Sequence, residues 1–225
     1  MRCSTDVATR STGNAVPSAS IRGRFQWLPQ LVISGGQTGV DRAALDWAIS
    51  HGIAHGGWCP KGRLAADGPL PPHYRLRETE SAGYRQRTKL NVQQSDATLI
   101  FNIGELDGGT LNTVRFITDM KKPHLGFQLV QSGIEDVAQL VVEWLKQGRF
   151  TTLNIAGPRE EKRPGIYNLG MSVLNACLMQ DLLESTGLPG EGLTAKRVDG
   201  LKIAPSAFRQ QVTDWPRKLD WDGWD

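Results

Sequence analysis

The chain is poor in the features that mark several protein classes. It has 3 cysteines in 225 residues: Cys3, Cys59 and Cys177, far apart and odd in number. A disulfide-stapled secreted domain needs a dense, even set, so this usage points to a reducing compartment and a cytoplasmic protein. No apolar run approaches the ~20 residues that a membrane span needs. Histidines number 4, and the one ligand-like spacing, His51, His55 and Cys59, is broken by Gly52, Gly56, Gly57 and Pro60. Those residues oppose a continuous helix, so no metal site is expected there. No Ser-His-Asp set stands in a recognisable context, and Cys59 without a paired base reads as a quiet thiol.

Charge of one sign is also lacking. The net charge is +3, and residues 1–30 account for it with Arg2, Arg10, Arg22 and Arg24 against Asp6 alone. A neutral remainder carries no electrostatic footprint for nucleic acid. Residues 1–29, rich in Ser, Thr, Ala and Arg and without a period, are expected to be a disordered or leader-like tail.

What is present is an alternation of short apolar runs and amphipathic stretches. "LVIS" from Leu31 reads as a buried strand, and Val40, Ala44, Trp47 and Ala48 then share one helical face. Residues 54–90 begin Gly- and Pro-rich and turn polar, a length and composition that suit a functional or lid-like segment. Strands are expected at Ala97–Phe101, in "PHLGFQLV" and in "TTLNIAG". Helices are expected from about Leu111 to Met120, over 134–147, and after Pro164. Such alternation predicts an α/β sandwich of three layers around a mostly parallel sheet, over residues 30–185. Residues 186–225 are expected to be an irregular extension in which Trp215, Trp221 and Trp224 dock on the domain or on a partner.

Three loops at expected strand ends carry the chemistry. In Gly35-Gly36-Gln37-Thr38-Gly39 the glycines permit positive φ and close approach of an anion to backbone N–H groups. The helix that follows presents its positive end. The same residues admit a blander reading, since Thr38-x-x-Asp41 fits a capping box. Asp41 is therefore a cap, or an orienter of Arg42 and of ligand hydroxyls, and makes no sense as a phosphate ligand. The second loop is Asp107-Gly108-Gly109-Thr110, and the third, Gly157-Pro158-Arg159-Glu160, brings a guanidinium suited to phosphate or carboxylate. Its alternative is an ion pair with Glu160 or Glu161. Lys61 and Arg63 add cations in a rigid setting, with Trp58 as a stacking surface. Together these residues point to a phosphorylated small-molecule ligand.

"ISGGQTGVDRAALDWA", "HGGWCPKGR", "SDATLIFN" with a following Gly-Gly-Thr, and "NIAGPRE" with a following "PGIY" resemble the molybdenum-carrier proteins. These are the circularly permuted branch of the SLOG superfamily of Rossmann-like nucleotide binders. The resemblance runs from about Leu31 to Leu183. It implies a Rossmann-like sandwich, often oligomeric, whose glycine loops line a pocket for the molybdenum cofactor, a pyranopterin with a terminal phosphate, or for a nucleotide derivative. The cofactor is bound and protected, not transformed. The implied binding positions are Gly35, Gly36, Gln37, Thr38, Gly39, Gly108, Gly109 and Thr110. Lys61, Arg63 and Arg159 join them on charge and context, and Asp41 and Arg42 as neighbours in the first loop. The wider superfamily holds phosphoribohydrolases with the motif Pro-Gly-Gly-x-Gly-Thr-x-x-Glu, and here neither glycine loop supplies that Glu. A carrier without catalysis is the expected function. The alternatives are a nucleotide-processing hydrolase, and an interaction protein that uses its Trp-rich tail.

Overall fold

A computed structural model describes residue 25 and residues 27–129 and 133–186. The expectations for most of the N-terminal tail and for the Trp-rich extension lie outside the described residues.

Five parallel strands form the central sheet in the order β2-β1-β9-β7-β8. They are β1 (Leu31–Ile33), β2 (Ala54–Gly56), β7 (Ala97–Asn102), β8 (His124–Gln128) and β9 (Thr152–Ala156). All six residues of β7 are buried, as a central strand of a covered parallel sheet requires. Alternation along it decides which side each residue feeds. Leu99 and Phe101 join the larger core, whereas Ile100 joins the smaller one on the opposite face.

The larger core lies beneath α1 (Val40–Ser50), α4 (Ile134–Gly148) and α5 (Ile166–Thr186). The expected face of α1 is the buried one, with Val40, Ala44 and Ala48 fully enclosed and Trp47 nearly so. Leaving water stabilises by about 1.5–3 kcal/mol for a side chain the size of Val40, and by about 0.8 kcal/mol for each alanine methyl. Phe25, Trp27 and Leu28, which precede the expected domain start at residue 30, are buried in this core. The opposite layer is α2 (Tyr84–Gln94) and α3 (Gly108–Asp119), packed over Val92, Ile100, Val114, Phe116 and Ile117. Three layers result, as the alternation of elements predicts. Among the described residues no helix is long and apolar enough to cross a membrane.

The segment 54–90 carries small elements of its own. It holds the edge strand β2, and β3 (Trp58–Cys59) paired in parallel with β6 (Arg77–Glu78). A hairpin follows, β4 (Leu64–Ala65) with β5 (Gly68–Pro69), and then the start of α2. Leu70, Tyr74 and Leu76 bury a small apolar cluster against Leu45 of α1 and Cys59. Asp46 on α1 accepts the hydroxyls of Tyr74 at 2.6 Å and of Tyr167 on α5 at 2.9 Å, pinning segment and helices together.

Candidate functional site

Because β1, β9 and β7 are adjacent and parallel, their C-terminal ends open on one edge of the sheet, where open α/β sheets place ligands. The loop after β1 starts with Ser34, whose Oγ donates to the Ile155 carbonyl at 2.7 Å. Gly39, at φ +76°, is the residue before α1, and a Cβ there would lie 2.4 Å from the Pro158 carbonyl oxygen. Only glycine lets the first and third loops meet so closely.

The capping box does not form. Thr38 instead donates its hydroxyl to Glu161 at 2.7 Å. Asp41 receives the Gln37 N–H at 3.4 Å and the Arg87 Nη1 at 3.0 Å. Nor does Asp41 orient Arg42, which forks onto Asp67 with both contacts at 3.1 Å. Gln37 turns away from the loop's own backbone: its amide donates to the Leu64 carbonyl and accepts the Ala66 N–H, tying down the hairpin.

The partner of Asp41 explains the first glycine. A Cβ on Gly35 would sit 1.6 Å from Arg87 Nη1 and 2.7 Å from Asp41 Oδ2. The guanidinium therefore occupies the space that a side chain at position 35 would fill. Arg87 is about nine-tenths buried, and its Nε has no hydrogen-bond partner among the described residues. Burial pushes the Asp41 carboxyl above its ordinary pKa, and the charge of Arg87 pulls part of the way back. Sequence reasoning missed Arg87, which stands in a polar run with no apolar period to announce a helix.

A cavity of about 290 Å³ opens beside this pair. One wall is Tyr84, Arg87 and Thr88 of α2. Another is the start of α3, with Gly108, Gly109 and Thr110, and the third is the loop after β9, with Gly157, Arg159 and Lys162. The helix begins at Gly108, so the second glycine loop is itself the first helical turn. The N–H groups of such a turn have no acceptor within the helix. Lys162 and Arg163 hold Asp107, the residue before α3, at 3.1 and 3.5 Å. Arg159 has no carboxylate partner among the described residues, and its guanidinium lies 4.3 Å from the centre of the Tyr84 ring. The crevice thus offers backbone donors, a buried guanidinium and a second, less restrained one, a combination suited to an anion.

Of the expected positions, Gln37, Asp41, Gly108, Gly109, Thr110 and Arg159 line this cavity. Gly35 lies beneath Arg87. Gly36, Thr38, Gly39, Arg42, Lys61 and Arg63 are not among its lining residues. A Cβ on Gly36 would meet Leu76 and Leu70 at 2.6 and 2.9 Å, so that glycine serves the apolar cluster. Arg63 spends its guanidinium on the carbonyls of Leu70, Pro71, Tyr74 and Leu76, and Lys61 is exposed. Thr113, three residues beyond Thr110, stands where the phosphoribohydrolase motif carries its Glu. It is buried at the cavity and donates to the Gly109 carbonyl at 3.0 Å. Among the described residues no cluster of three His, Cys, Asp or Glu side chains is arranged to hold a metal ion.

A three-layer parallel sheet with a crevice at its C-terminal edge defines a Rossmann-like ligand-binding domain. The model of the circularly permutated YpsA SLOG family matches residues 32–178, and the chain belongs to that family. Its fold is similar to that of the "Putative molybdenum carrier protein" from Syntrophus aciditrophicus SB, at 48% identity and a TM-score of 0.65. The match covers 67% of this chain and 95% of that one. No curated protein matches the chain.

Proposed function

We propose that this protein binds a phosphorylated small molecule, the molybdenum cofactor or a nucleotide derivative, and carries it without transforming it. One observation carries the reading. The first turn of α3, Arg87 and Arg159 converge on a cavity of small-molecule size. In this reading the phosphate meets the N–H groups of Gly108, Gly109 and Thr110, and Arg159 closes over it. Arg87, fixed by Asp41, supplies positive charge from below. A molybdenum cargo would be held through the organic part of its cofactor.

Thr113 favours carriage over hydrolysis. A threonine at that place, its proton given to a carbonyl, is no general acid or base at neutral pH. The name of the Syntrophus protein agrees with a carrier role. We extend the proposal to a cytoplasmic, self-associating protein. Cys59 and Cys177 are free and buried, and α5 has no charged residue from Ile166 to Gln180 while Met179 stands exposed. The outward positions Asn168, Ser172, Asn175 and Met179 are uncharged, and we assign the contact between copies to that face.

The test is to denature the purified protein and identify what it releases by mass spectrometry. A phosphorylated pterin, its oxidised product or a nucleotide derivative is expected. Liberation of free base from added nucleoside monophosphates would overturn the non-catalytic reading.

A further inference from the structure

We infer that Tyr84 and Arg159 form a shelf that selects ligands by a planar heteroaromatic ring. This rests on the crevice being the site of a phosphorylated pterin or nucleotide, and adds which residues hold the ring and select by it.

The inference starts from how two distant residues meet. Tyr84 is the first residue of α2, and Arg159 lies in the loop after β9. The Arg159 guanidinium sits 4.3 Å from the Tyr84 ring centre. From the same helix as Tyr84, the Arg87 guanidinium approaches that ring at 6.0 Å. Two cations on one π system make a flat, polarised surface beside the cavity. No phosphate requires such a surface, since α3 and the guanidinium groups already supply donors and charge. A sugar can draw on the hydroxyl and amide groups elsewhere in the cavity, and an aliphatic chain gains nothing from a stacked guanidinium. A ring with lone pairs on its edge and an extended π face gains from both.

The remaining polar side chains fit the edge of such a ring. Asn112 lines the cavity from α3 with an amide that both donates and accepts. Thr88 donates its hydroxyl to the Tyr84 carbonyl at 2.9 Å, which leaves oxygen lone pairs to accept. These groups stand where a ring stacked at Tyr84 can be read by hydrogen bonds, while its phosphate reaches the first turn of α3.

The experiment compares two probes on the full-length protein by isothermal titration: guanosine 5′-monophosphate and ribose 5-phosphate, which lacks the ring. Wild type should bind the nucleotide at least about tenfold more tightly, the scale of one stacking contact. Tyr84→Leu should bring that ratio close to one by weakening nucleotide binding, with ribose 5-phosphate affinity held within about twofold. Tyr84→Phe should retain the ratio, which separates stacking from any need for the hydroxyl and guards against a misfolded Leu variant. A wild-type ratio near one overturns the shelf, as does a Tyr84→Leu protein that keeps the ratio or loses both probes equally. If wild type binds neither probe, the phosphate-site reading itself fails.

Discussion

Substitution of Gly35 tests whether the first glycine loop is shaped around a side chain. In Gly35→Ala the new methyl would lie 1.6 Å from Arg87 Nη1, so the guanidinium must leave. Asp41, 2% exposed, then keeps the long contact from the Gln37 N–H and the neighbouring Ser34 hydroxyl, with no charge to balance it. Removing one partner of a buried ion pair costs about 3–5 kcal/mol, and protonation of Asp41 lowers the figure towards about 3. Arg87→Met leaves the same carboxyl unpaired and should cost a similar amount. The double variant orphans Asp41 only once and has no guanidinium to displace, and only the 2.7 Å approach of the new methyl to Asp41 Oδ2 remains. Its cost should therefore stay near about 3 kcal/mol, where independent effects would give about 6. Urea denaturation of the four proteins measures this coupling directly. Single-variant costs that add to within about 0.5 kcal/mol would refute the claim that Gly35 makes room for Arg87.

Gly36→Val should destabilise the protein through Leu70, Leu76 and its own φ of +75°, by several kcal/mol in urea. A stable Gly36→Val protein that had lost only ligand binding would contradict this. At alkaline pH the Asp46 cluster should fail. Burial and the bond to Asp46 push the Tyr167 hydroxyl up to about 12, and Tyr74 is raised as well. The folded state therefore keeps protons that the unfolded chain releases from pH 10 upward, so stability present below pH 10 declines as pH rises through 12. The double change Tyr74→Phe and Tyr167→Phe should flatten that decline in urea midpoints, and an unaltered slope would count against the cluster. Burial pushes the Cys177 thiol up to about 12 and raises Cys59 too. Mass mapping after alkylation of the native protein at pH 8 should find both unmodified, and labelling of either without unfolding would show that its site opens.

Strands β1, β7, β8 and β9 were legible because they are short apolar runs between turn residues, and α1 and α4 because their apolar residues recur at helical spacing. By contrast β2, with the sequence Ala-His-Gly, and the two-residue strands of segment 54–90 carry no such run. Helix α2 was not legible. Its sequence, YRQRTKLNVQQ, buries Arg87, Thr88 and Asn91 beside Val92, so its inner face is mostly polar and leaves no hydrophobic period. The Asn91 amide works in place of apolar packing, accepting the Trp58 N–H and donating to the Trp58 carbonyl. The beginning of α3 was blurred because two glycines read as loop, whereas φ of +45° at Gly108 lets the first turn start there. Cations show a similar division. Arg42 and Arg63 look as available in the sequence as Arg159, but Asp67 and a ring of carbonyls engage them. Charge is visible in a sequence, and its partner generally is not.

Native mass spectrometry of the purified protein beside its Arg87→Met, Arg159→Met double variant tests the central claim most directly. Wild type should carry an adduct that yields phosphate on fragmentation, and the variant, matched to it by circular dichroism, should lack it. An adduct without phosphorus, or one that the variant retains, would contradict a phosphate held at the crevice between α2, α3 and the loop after β9.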